Sequence, residues 1–210
     1  VLNLRKDMAT GIFLLLLGLL LSHCSTVPVT CTSGDCDNGE GIQIIADGSR
    51  YEGEFLGARR QGKGKLYYEN QDIYDGEFFE GKREGQGTYS HHGSDRYEGK
   101  FEEGLRHGNG KYHYKNQEVY EGTYRSGLRE GMGTYTYPNG DRFEGSYKNG
   151  KREGPGIYIF ADKNVLEGVW KENHLQGKAI IRNPKGRIIH EGYWKDNKYL
   201  GREEPKEDSN

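Results

Sequence analysis

Three shortages shape this chain. Only 32% of its 210 residues are hydrophobic and the mean hydropathy is -0.97, too little to fill a conventional two-layer core. Net charge is almost absent: 30 basic residues stand against 32 acidic ones, leaving -2, so nothing biases the chain toward a nucleic-acid partner. Cysteine is scarce as well, with Cys24, Cys31 and Cys36 the full set and no Cys/His cluster beside them, which excludes a closed zinc site. Low hydropathy with 30% charged residues would suit a disordered chain, but disordered chains are poor in rings and here 12% of residues are aromatic, 16 of them Tyr. Order must therefore come from rings and backbone pairing.

The first residues form a unit of their own. Arg5 and Lys6 precede an uncharged stretch from Met8 to Ser22 with an apolar heart from Ile12 to Leu21. This is a signal-peptide pattern, and it falls short of the about 20 apolar residues a spanning helix needs. Leu20-Leu21-Ser22-His23-Cys24 resembles a bacterial lipobox, which implies Cys24 as the acylated first residue of the mature chain, although His23 stands where a small residue is expected. Ordinary signal-peptidase cleavage near Ser25 to Val29 is the other route. Either route takes Cys24 out of the thiol pool and leaves Cys31 and Cys36 to pair in an oxidising compartment.

After the leader the chain repeats itself. A five-residue motif starts at Tyr51, Tyr74, Tyr97, Tyr120, Phe143 and Leu166, each 23 residues after the last, as Tyr-Glu-Gly-x-ring or a close variant. It places rings at Tyr51 and Phe55, Tyr74 and Phe78, Tyr97 and Phe101, Tyr120 and Tyr124, Phe143 and Tyr147, then Trp170. A last copy, from His190 to Trp194, comes one residue late. A Gly-x-Gly signature follows at constant distance, from Gly62-x-Gly64 to Gly154-x-Gly156, and Gly39-x-Gly41 opens the series with a half-repeat. Between the signatures, Gly81, Gly104, Gly127 and Gly150 share one column with Asn173 and Asn197, residue types that accept the positive φ of a tight hairpin turn.

Each repeat therefore reads as strand, two-residue turn, strand. Carried regularly from the turn, the register pairs Phe101 with Arg106, Gly99 with Gly108 and Tyr97 with Gly110. Alternation sets rings, glycines and Arg106 on one face and Glu98, Lys100, His107, Asn109 and Lys111 on the other, a sheet needing no second layer. The motif resembles the MORN (membrane occupation and recognition nexus) repeat family over roughly residues 39 to 201. The resemblance implies a single-layer antiparallel sheet of consecutive hairpins, an all-β, solenoid-like rod on the order of 65 Å long. The expected organisation is a signal over 1–24, a linker with Cys31 and Cys36 over 25–38, the array over 39–201 and a disordered charged tail over 202–210.

Stacked repeats turn columns into stripes. An acidic one runs from Glu52 and Asp75 through Glu98, Glu121, Glu144 and Glu167 to Glu191, and a basic one through Arg60, Arg83, Arg106, Arg129 and Arg152. The arginines either pack on opposing rings or engage anions such as lipid headgroups. An acid recurring in every copy is explained by repetition, so none stands out as catalytic; His91 and His92 read as solvated turn residues, and no nucleophile or phosphate-loop motif occurs. The expectation is a non-enzymatic, cofactor-free exported scaffold at a bacterial envelope or surface, with a protein partner or itself as ligand. Membrane contact would come through acyl-Cys24 or the arginine stripe. Glycan binding on rings such as Tyr89, Tyr112 and Tyr135 is the further alternative.

Overall fold

A computed structural model describes residues 29–93 and 95–205. Sixteen strands, from β1 (Thr30–Gly34) to β16 (Lys198–Gly201), lie side by side in chain order in a single antiparallel sheet. No helix occurs among the described residues, so none of them forms a helix long and apolar enough to cross a membrane. The leader with Cys24 and the end of the tail, residues 206–210, lie outside the described residues.

The turns within repeats contain two residues with positive φ, such as Glu103 (50°) with Gly104 (81°) and Asn149 (50°) with Gly150 (83°). That combination matches the right-handed twist of the flanking strands. From the turn, β7 (Arg96–Glu102) and β8 (Leu105–His113) start as expected, with Phe101 opposite Arg106. The register then departs from the regular one: Gly99 pairs with Gly110 and Tyr97 with Tyr112, not with Gly108 and Gly110. Lys100 alone faces His107, Gly108 and Asn109. Gly108 is the cause, because it takes φ +56° and throws the strand into a bulge. The same irregularity recurs between Gly53 and Phe55 and between Gly145 and Tyr147. On its other edge β8 runs regularly against β9 (Val119–Arg125), pairing Gly108 with Tyr124 and Gly110 with Gly122.

The segment expected as a linker contributes β1. Thr30 to Gly34 pairs with β2 (Glu40–Ile44), and a Cys31–Cys36 disulfide, with Cα atoms 5.9 Å apart, ties the edge strand to the turn that follows it. At the other end, the late seventh copy is absorbed by a second kind of bulge. Ile181 pairs with His190 but Arg182 with Ile188, which leaves Ile189 unpaired and exposed.

Candidate functional site

The core is a line of rings. Tyr51, Tyr74, Tyr97, Tyr120 and Phe143 are essentially inaccessible, and each meets two neighbours edge to face, one in its own repeat and one in the next. Tyr97, for example, lies 5.1 Å from Phe101 and 5.2 Å from Tyr124, and the line ends with Phe143 against Trp170 at 4.9 Å. Trp194 is buried in the last copy, against Tyr199. These rings lie on the glycines: a Cβ on Gly110 would sit 2.3 Å from the Tyr97 hydroxyl oxygen. The bulge exposes a carbonyl that has lost its ladder partner, and the hydroxyl of the same ring donates to it. Tyr51 donates to Glu54, Tyr74 to Glu77, Tyr97 to Lys100 and Tyr120 to Thr123, at 2.9 to 3.1 Å. Burial pushes the phenols of Tyr51, Tyr97 and Tyr120 up to about 12.

The arginine column lies along this line, half-buried on the rings. The Arg106 guanidinium is 5.8 Å from the Tyr97 ring, 5.2 Å from Tyr112 and 5.3 Å from Tyr124, and Arg60, Arg83, Arg129 and Arg152 sit likewise. Each of four also donates to the turn of the next repeat: Arg83 to the Gly104 carbonyl, Arg106 to Gly127, Arg129 to Gly150 and Arg152 to Asn173. In return the backbone N–H of that turn residue donates to the carbonyl of the arginine, as Gly127 does to Arg106 at 2.9 Å. The candidate anion stripe is thus also a lacing between successive turns.

A second lacing was not read from the sequence. On the opposite edge, an acid in four successive inter-repeat turns accepts from the tyrosine of the following copy: Tyr89 donates to Asp72, Tyr112 to Asp95, Tyr135 to Glu118 and Tyr158 to Asp141. Asp72, Asp95 and Asp141 also accept a backbone N–H from the next turn, from His92, Lys115 and Ala161. These acids form a 23-residue column of their own, the signal that would have found them. His91 is exposed, as a solvated turn residue should be, and it also contacts Asp72 at 3.2 Å and lies tilted against Tyr89, in a column that elsewhere holds Tyr68, Tyr114, Tyr137 and Phe160. Of the rings named for glycans, Tyr112 is buried, while Tyr89 and Tyr135 keep one side open.

What stays open on the ring face is a row of hollows between successive arginines. One of about 350 Å³ lies between Arg83 and Arg106 over Phe101, another of about 270 Å³ between Arg60 and Arg83 over Phe78, and a third of about 150 Å³ between Arg129 and Arg152 over Tyr147. Gly104, Leu105 and Gly127 border the first on the turn side, and Tyr89 and His91 on the other. The polar face carries a broader groove of about 880 Å³, crossed by ion pairs such as Lys111–Glu121 at 3.1 Å and Arg142–Glu144 at 2.7 Å, so its acidic column is largely neutralised in place. Among the described residues no group of three or more His, Cys, Asp or Glu side chains is placed to hold a metal ion.

Five consecutive segments, residues 51–73, 74–94, 97–119, 120–142 and 143–165, match the MORN repeat. No curated protein matches the chain significantly. Among solved structures, the chain is similar to the SAS-4 (dCPAP) TCP domain of Drosophila melanogaster, solved in complex with a proline rich motif of Ana2 (dSTIL), with 14% identity and a TM-score of 0.51 over 90% of this chain and 96% of that one. The G-box domain of the microcephaly protein CPAP follows at 11% identity and TM-score 0.49, over 73% and 80% of the two chains. The TCP10 domain of Danio rerio CPAP stands at 9% identity and TM-score 0.41, over 73% and 88%. At 14% identity the likeness to the SAS-4 TCP domain is one of fold.

Proposed function

The chain belongs to the MORN repeat family, and we propose that it works as an exported, non-catalytic scaffold holding a protein partner along its ring face. The observation that carries this reading is the row of hollows, because the same arginine and ring columns form one after another along the array. A surface with the period of its own repeat suits an extended ligand better than a compact one. The SAS-4 TCP domain, of like fold, was solved with a peptide motif bound, so a sheet of this kind is compatible with such a partner. Against catalysis stands the chemistry of the acids: those described here recur from copy to copy and are engaged by tyrosines, backbone N–H groups or basic neighbours.

Export rests on the leader, with Arg5 and Lys6 before the apolar run, and an envelope location on the lipobox-like segment ending in Cys24. Mass spectrometry of the native N-terminus tests both. Acylated Cys24 places the array on a membrane, a free terminus near Val29 places it in solution outside the cytoplasm, and an intact leader overturns export. For the partner, the exported chain immobilised on beads should retain a protein that the Leu105→Glu variant releases. Leu105 borders a hollow and is 49% exposed, so the added charge leaves the core untouched. Retention of nothing, or retention indifferent to Leu105→Glu, would overturn the reading. A second copy is the alternative partner, favoured by the open edge at β16, where Ile188, Ile189, Tyr199 and Leu200 are exposed. Sedimentation velocity across a concentration series distinguishes the two.

A further inference from the structure

Resting on the ring face as the partner's groove, we infer that the segment held there is a polyproline II strand, laid along the array axis with one three-residue turn per repeat. Two strands of a sheet span about 9.6 Å, which sets the distance from one hollow to the next. A polyproline II helix rises about 3.1 Å per residue and returns to the same face every three residues, about 9.3 Å on. Over three repeats the two periods drift apart by about 1 Å. An α-helix brings one face back after seven residues, about 10.5 Å on, and drifts by roughly three times as much. A β-strand returns every two residues, about 6.7 Å, and misses the next hollow altogether.

The chemistry of the groove points the same way. Its floor is aromatic, and its ribs are guanidiniums with five N–H donors each, of which Arg106 commits one to the Gly127 carbonyl and Arg129 one to Gly150. Asp47 is the one carboxylate among the residues lining the three hollows, and it accepts from the Ser49 N–H; beside the groove, Asp72 accepts from Tyr89 and the His92 N–H, and Asp95 from Tyr112 and the Lys115 N–H. The surface therefore offers ring faces and donors but few free acceptors. A ligand backbone that presents bare carbonyls, lacks N–H groups at its contact positions and needs no ordering on arrival fits it, and proline supplies all three.

The test uses the full exported chain and fluorescein-labelled synthetic peptides with proline at every third position, in lengths rising by one residue. Affinity should climb in steps of roughly fivefold per added triplet until the array is spanned. A set of equal length and composition with the same prolines placed at irregular spacing should bind about tenfold more weakly. The Tyr137→Ala variant, which removes a ring bordering the third hollow, should weaken the longest peptide while shorter ones that seat elsewhere bind as before. Affinity that ignores proline spacing, or grows smoothly with length, would overturn the polyproline assignment. If, in addition, a proline-free segment of the retained partner bound at the same face and lost affinity with Leu105→Glu, the scaffold reading would stand without it. If no protein segment bound this face, both would fall.

Discussion

The hydroxyls of the buried tyrosines do two different jobs. In Tyr97 the oxygen bonds the carbonyl that the bulge sets free, whereas the Tyr124 hydroxyl, in the column of Phe55, Phe78 and Phe101, is buried without a partner. Tyr97→Phe should therefore cost about 1 kcal/mol in urea unfolding, and Tyr124→Phe should be neutral or stabilise by about that amount. Titration gives a second expectation at this scale. Below about pH 10 these phenols are neutral in folded and unfolded chains alike, so their burial contributes fully. Between about 10 and about 12 the unfolded chain ionises while Tyr51, Tyr97 and Tyr120 do not, so stability should fall as pH rises through that window. Absorbance at the tyrosinate band, followed with circular dichroism, should show the buried rings ionising together with the loss of the sheet. The rings and arginines were legible because they recur in a strict column. The acid and tyrosine pairs recur as strictly, but Asp72 and Asp95 sit in turns, where an acid is normally explained by the turn itself.

At the scale of the hairpin, alternation identified both faces and missed the register. The bulge opposite Lys100 adds two residues to β8, and an even excess returns every later side chain to the face it would have had anyway. Period-two reasoning cannot detect it. Only the positive φ of Gly108 marks the place, and glycine alone does not announce its φ. Three of the four glycines in this repeat, Gly104, Gly108 and Gly110, thus have separate reasons, which substitution can tell apart. Gly110→Ala drives a Cβ into the Tyr97 ring, flat against backbone with nowhere to move, and should cost about 3 kcal/mol. Gly104→Ala meets nothing within 4 Å and has only its left-handed backbone against it, about 1 kcal/mol. Chemical denaturation of the two variants side by side measures the difference; equal losses would mean that the ring does not depend on the glycine beneath it.

For the molecule as a whole, stability belongs to neighbours. Each strand pairs only with the one before and the one after, so damage at one end should stay there. Replacing Cys31 and Cys36 with serine should abolish hydrogen-exchange protection in β1 and weaken it in β2 while the amides of β7 to β9 exchange as before. Uniform loss across the array would show instead that the sheet melts as one body. Strand order has a further consequence in time. No strand needs a distant one: the disulfide-closed edge can form first, and each later hairpin then finds its template already laid down behind it. Such a chain can be zipped up as it threads out of whatever channel delivers it, N-terminus leading, with one open rung exposed at any moment and no need for its last residue to have been made.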